Sequence, residues 1–103
     1  MNTLELIKEE RERQIKKGFD SQHDDQEVYG ELAMGAIVRA MPDNYRDVPI
    51  VSNAFLRDNL TLGKVFWPYR EGYKPSPYRK EELIKAAALI VAEIERLDRL
   101  DNS

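Results

Sequence analysis

Residues 76–100 read SPYRKEELIKAAALIVAEIERLDRL, and this run decides the fold class. Leu83, Ala87, Ile90, Ile94 and Leu97 recur at alternating three- and four-residue steps, the spacing of one helical seam. Ala88, Leu89 and Ala92 lie off that seam, so the stretch from Ala86 to Ala92 is apolar nearly all round. A helix of that kind is covered on more than one side. Ser76 stands where an N-cap belongs, and Pro77 takes the first-turn position that tolerates proline. The spacing predicts a long helix from this cap to about Leu100. Three helices offer too little surface to cover it, so a partner subunit is expected as a second cover.

Working back from that helix, two more are expected. The first runs from about Thr3 to Lys17, capped by Asn2 or Thr3 and ended by Gly18. Its apolar stripe is Leu4, Ile7 and Ile15, continued by Phe19. Arg11 falls inside that stripe, where it must meet a carboxylate, reach solvent or contact a ligand phosphate. The second helix is expected from about Gln26 to Met41, capped by Asp24 or Asp25, with Pro42 closing it off. Gly30, Ala33, Gly35, Ala36 and Ala40 make it rich in small residues. Two glycines inside a helix cost about 1 kcal/mol each relative to alanine, a cost that close approach of another helix offsets. Between Pro42 and Pro75 no helix of ordinary length is expected, only a short one around Val51 to Asn59 with Ser52 as cap. The apolar content of this long connection argues against disorder. The expected fold is a single all-α domain, residues 1–103, with about three main helices, forming a homo-oligomer.

Composition bounds the function. The 103 residues suffice for one domain, and 42% are hydrophobic, enough for a core. The chain contains no cysteine. Disulfides, thiol catalysis and cysteine-ligated zinc are thereby excluded, and a reducing compartment fits. There is no apolar run of membrane-spanning length, and the charged start MNTLELIKEERERQ is unlike a secretory signal. A cytoplasmic location is expected. The formal net charge of −3 argues against general nucleic-acid binding, which needs a broad basic field.

The charge is unevenly spread. Asp20 to Glu31 carries five acids and no lysine or arginine, whereas Lys64 to Lys80, KVFWPYREGYKPSPYRK, carries five basic residues against Glu71 alone. The same basic segment holds Phe66, Trp67, Tyr69, Tyr73 and Tyr78, and three prolines with Gly72 keep it irregular. Cations meet phosphates and aromatic faces meet bases, so the segment suits an anionic ligand with a flat ring. Equally, its rings can roof a small helical core.

Two polar groupings are also candidates. His23-Asp24-Asp25 offers imidazole and carboxylate together, for a metal, for a ligand contact, or as a solvated turn capping a helix. Glu27 and Glu31 share a helical face one turn apart, and Glu95 and Asp98 have a Glu-x-x-Asp spacing on the last helix. Carboxylates from two helices hold Mg²⁺ in all-α nucleotide pyrophosphatases, although the first motif of those enzymes is missing here. No Ser/His/Asp set and no glycine-rich phosphate loop is recognisable.

Taken in order, Arg11-Glu12-Arg13-Gln14, Gly18-Phe19, His23-Asp24-Asp25, Gly30-Glu31-Leu32-Ala33, Trp67-Pro68-Tyr69, Lys74-Pro75 and the run KAAALIVAEIERLD from Lys85 to Asp98 form a pattern. It resembles a widespread family of small helical phage and prophage proteins. The resemblance covers nearly the whole chain except about residues 43–63, and Tyr69 stands where a tryptophan is common. It implies a phage or prophage setting and a mostly helical fold, and it implies no particular activity. In size and in its basic, aromatic loop the chain is also similar in type to small oligomeric phage proteins that sequester nucleotide-derived immune signals.

The leading expectation is therefore a binding protein that sequesters a small phosphorylated nucleotide, without cofactor or catalysis. Arg70, Lys74, Arg79 and Arg11 are the candidate phosphate contacts, and Trp67, Tyr69 and Tyr73 the candidate base platform. His23, Asp24 and Glu31 are candidates to read base or sugar hydroxyls. The alternatives are a Mg²⁺-dependent pyrophosphatase using Glu27, Glu31, Glu95 and Asp98, and a module whose aromatic loop grips a host protein.

Overall fold

A computed structural model describes residues 2–51 and 60–102 of the chain. Its elements are α1 (Thr3–Lys16), α2 (Ser21–Asp24), α3 (Glu31–Ala40), α4 (Asp43–Arg46), β1 (Pro49–Val51), β2 (Leu60–Thr61), α5 (Leu62–Phe66) and α6 (Arg79–Asp101). The fold is mostly helical. The layout differs from the three main helices expected: six helices are described, α1, α3 and α6 being the longest and α2, α4 and α5 short turns, and β1 and β2 pair antiparallel as a small ribbon. Apart from Val51, which lies in β1, the expected short helix from Val51 to Asn59 falls outside the described residues.

The first helix spans close to the expected residues, but the expected apolar stripe is not its buried face: Leu4 and Ile15 are exposed, whereas Glu10, Arg11 and Gln14 are buried. Asn2 Oδ1 accepts from the Glu5 amide across 2.9 Å, and Gly18, at φ +107°, turns the chain beyond the last turn. The expected second helix is shorter. Asp20, not Asp24 or Asp25, caps the turn α2 by accepting from the His23 amide. The carboxylate of Asp24 is turned toward Arg11 instead. Gly30 adopts the left-handed conformation at φ +83°, which breaks any helix through it, so α3 begins only at Glu31. The start of the last helix also differs. Tyr78 occupies its N-cap position, while Ser76 stays outside, its amide donating to Glu82 Oε1 and its hydroxyl to Glu81 Oε2.

The core is the seam between α3 and α6: Leu32 and Ala36 from one helix, Ala86, Leu89 and Ala92 from the other, with Ala40 packed beside them. α1 lies along another side of α6. The small residues of the second helix do admit a close neighbour. A Cβ on Gly35 would stand 3.2 Å from Tyr69 Cε2 and 3.4 Å from Leu89 Cδ1. The seam residues Leu83, Ile90, Ile94 and Leu97 lie on the exposed side of α6, away from this core. An alanine surface lets α3 approach closely, and the intramolecular core forms on that side.

Candidate functional site

The segment after α5 carries no regular structure, yet it is firmly seated. Its anchor is Glu82, one turn into α6 and 2% exposed. Glu82 accepts from the Tyr73 hydroxyl (2.6 Å), from the Ser76 amide (2.6 Å) and from Arg39 Nη1 (3.2 and 3.3 Å). The Arg39 guanidinium in turn lies 5.3 Å from the Trp67 ring centre and 5.4 Å from that of Tyr73. Arg46 stacks on Tyr73 at 5.3 Å. Burial and the Glu82 carboxylate together push the Tyr73 phenol up to about 12. Trp67 Nε1 donates to the Glu71 carbonyl across 2.7 Å, closing the turn between them.

A chain of ring contacts runs from this anchor toward the turn after α1. Trp67 meets Tyr73 at 4.8 Å and Tyr69 at 5.2 Å, Tyr69 meets Phe19 at 6.5 Å, and Phe19 meets His23 at 4.8 Å. Beneath Trp67 and Tyr69 opens a cavity of about 620 Å³, within the range of small-molecule sites. Phe19, Trp67 and Tyr69 form its aromatic side. Lys17, Arg39, Lys74 and Lys85 supply four cations against two carboxylates, Glu10 and Glu71, and Gln14, Gly72 and Leu89 complete the lining. Lys17 and Lys74 have no ion-pair partner among the described residues. Gln14 Nε2 faces the Lys85 carbonyl at 3.5 Å, and its Oε1 is buried without a partner.

The sequence candidates divide among several places. Trp67, Tyr69 and Lys74 meet in this cavity. Arg70 lines an adjoining recess of about 510 Å³, which shares Trp67, Tyr69, Glu71 and Gly72 with the cavity and adds Arg46, Tyr73 and Pro75. Arg79 is occupied in closing α3, donating to the Met41 carbonyl at 2.8 Å and to the Ala40 carbonyl. Arg11 lies in a buried ion pair with Asp24 (2.8 Å) and donates also to the Phe19 carbonyl and, more distantly, to Glu95. Of the readings open for Arg11, its geometry here is that of a structural pair.

His23 sits between Asp24 Oδ1 (3.1 Å) and Glu27 Oε1 (3.3 Å). Glu31 approaches Glu27 from the next turn and also accepts from the Tyr29 amide. Burial raises the Glu27 carboxyl above its ordinary value, with Glu31 adding to the rise and His23 opposing it. Burial likewise raises the Tyr69 phenol well above the usual range, reinforced by Glu27, Asp24 and Glu31. This acidic corner therefore lies on the hydroxyl side of Tyr69. The four carboxylates weighed for Mg²⁺ are not assembled: Glu95 turns to Arg11, and among the described residues no three His, Asp or Glu side chains are placed to hold a metal ion.

Three of the cavity's cations, Lys17, Arg39 and Lys85, were missed in the sequence, as was Gln14. Each sits on or at the end of a helix, and nothing in the basic-aromatic loop signals them. The available hint was a long polar side chain among small or apolar neighbours: Arg39 within GAIVRA, and Lys85 just before AAAL.

A scan of protein-family models gives no match to this chain, and neither does a search of curated proteins or of solved structures.

Proposed function

We propose that the protein binds a small phosphorylated nucleotide in the cavity beneath Trp67 and Tyr69 and holds it without turnover. One observation carries this reading. The cavity joins an aromatic side to two lysines, Lys17 and Lys74, that have no ion-pair partner among the described residues, so a flat base and a phosphate can be satisfied in one space. Lys17 and Lys74 are the phosphate contacts in this reading, with Lys85 beside them. Phe19, Trp67 and Tyr69 form the base platform. The buried Oε1 of Gln14 offers an acceptor to a ligand amine once the side chain turns. The likeness to small phage proteins suggests the use: capture of a nucleotide-derived immune signal inside an infected cell.

Calorimetric titration of the whole chain with a cyclic dinucleotide, an ADP-ribose-type compound and a nucleoside triphosphate tests the proposal. At least one should bind, should be recovered intact after denaturation, and should bind equally well with EDTA present. Recovery of a cleaved product that depends on Mg²⁺ would replace the sponge by a pyrophosphatase. Absence of binding to all three would overturn the nucleotide reading.

A further inference from the structure

The long helix α6 is built inside out for a lone chain. The side that packs on α3 is made mainly of alanines with Leu89, whereas most of its larger aliphatic side chains are exposed. Leu83, Ile90, Ile94 and Leu97 are between 43% and 53% exposed. With Ala87 they hold a coiled-coil spacing over two heptads. The described residues leave about half of the surface of each of these larger side chains open. They also lie on the side of α6 away from Lys85 and Leu89, which face the cavity.

The charges along this face say what covers it. Lys80 stands near the start of α6 and Asp98 near its end, both exposed and neither with an ion-pair partner among the described residues. They are eighteen residues apart, about five helical turns, and so share one line along the helix. Asp101 adds a second acid at the same end as Asp98. A parallel copy would set acid against acid and base against base. An antiparallel copy sets Lys80 beside Asp98 twice over, and opposes the two helix dipoles as well.

We infer that α6 pairs antiparallel with α6 of a second copy of this chain, about a two-fold axis near residues 88 and 89. That register sets Leu83 against Ile94 and Ala87 against Ile90 of the other copy, with Lys80 next to Asp98 at each end. The contact is self-complementary, as a two-fold interface requires. Ala87 is the small residue that lets the axes approach where they cross. The pairing is independent of what the cavity holds.

Light scattering on the full chain tests the association. The expected mass is twice 12.0 kDa. Ile90→Glu, at an exposed position, should weaken self-association at least about tenfold while leaving the helical circular dichroism unchanged. Lys80→Glu should weaken it less, and adding Asp98→Lys in the same chain should restore it. Orientation is read by cross-linking, since the chain has no cysteine of its own. A chain carrying Leu83→Cys should form a disulfide with one carrying Ile94→Cys and not with itself. A monomer at every dilution overturns the inference, as does a dimer indifferent to Ile90→Glu. Self-linking of the Leu83→Cys chain would show a parallel pair and overturn the antiparallel one.

Discussion

The Tyr73 hydroxyl donates to Glu82 Oε2 across 2.6 Å, and through that carboxylate the irregular segment is tied to both α3 and α6. Removing the carboxylate strands Arg39 as a partly buried cation and releases Tyr73 and Ser76 at once. Loss of one partner of a buried pair costs about 3–5 kcal/mol. Arg39 keeps some solvent, so Glu82→Ala should fall near the low end, about 3 kcal/mol. Urea unfolding measures it. A loss below about 1 kcal/mol, the size of one ordinary hydrogen bond, would mean that Glu82 is not the anchor.

Alkaline pH should loosen the same point. The folded state raises the Tyr73 phenol from its ordinary value of 10.0 to about 12, so it favours the neutral form. That stabilisation is complete below pH 10.0 and is lost as pH rises through about 12. Tyr73→Phe should therefore show a flatter fall in melting temperature across that interval than the parent chain. Part of the fall should remain, because the Tyr69 phenol is raised as well. Identical slopes for the two proteins would contradict the contact.

Arg11 and Asp24 should behave as a structural unit. Asp24 is fully buried and Arg11 nearly so. Either Arg11→Ala or Asp24→Ala should destabilise the fold by about 3 kcal/mol, the low end for a broken buried pair, because Arg11 keeps the more distant Glu95 and Asp24 keeps His23. The double change Arg11→Leu with Asp24→Leu should cost less than the sum of the two single losses. Chemical denaturation of the three variants checks this, and simple additivity would deny the coupling.

Lys74 should behave oppositely. It is exposed and has no hydrogen bond or ion pair among the described residues, so Lys74→Ala should leave the melting temperature unchanged. If it meets a phosphate, its removal should weaken nucleotide binding by about 1.5–3 kcal/mol, roughly tenfold or more. Arg70→Ala, in the other recess, should change affinity much less. Titration of the two variants with the best-binding nucleotide separates the two recesses, and the reverse ranking would move the site to the recess beside Arg46.

Much of the fold was legible in local chemistry. Asn2 and Gly18 bound the first helix, and Gly35 announced a close neighbour. The second helix was misplaced because Asp24 looks like a cap when read locally, whereas Arg11, distant in sequence, claims its carboxylate. The spacing of α6 identified which residues share a face and left open which face meets the rest of the chain. Alanine proved to be the packing surface, a choice that depends on the shape of α3. The candidate site was half visible for a similar reason. Trp67, Tyr69 and Lys74 sit together in one loop, whereas Lys17, Arg39 and Lys85 come together only when three helices pack.

Arg79 at the start of α6 is bonded to the carbonyls that end α3, Ala40 and Met41. The chain therefore leaves the helical core and re-enters it at one corner, and everything between is a closed excursion. For a loop whose ends are held together, each doubling of length costs only about 0.6 kcal/mol in closure entropy. Insertions and deletions between residues 43 and 78 should thus be far better tolerated than in the helices. Since Trp67, Tyr69 and Lys74 come from that excursion and Gln14, Arg39 and Lys85 from the helical frame, one half of the cavity is free to diversify while the other stays fixed. If the cavity takes a ligand as proposed, its preference can change through the excursion alone while the helical frame stays as it is.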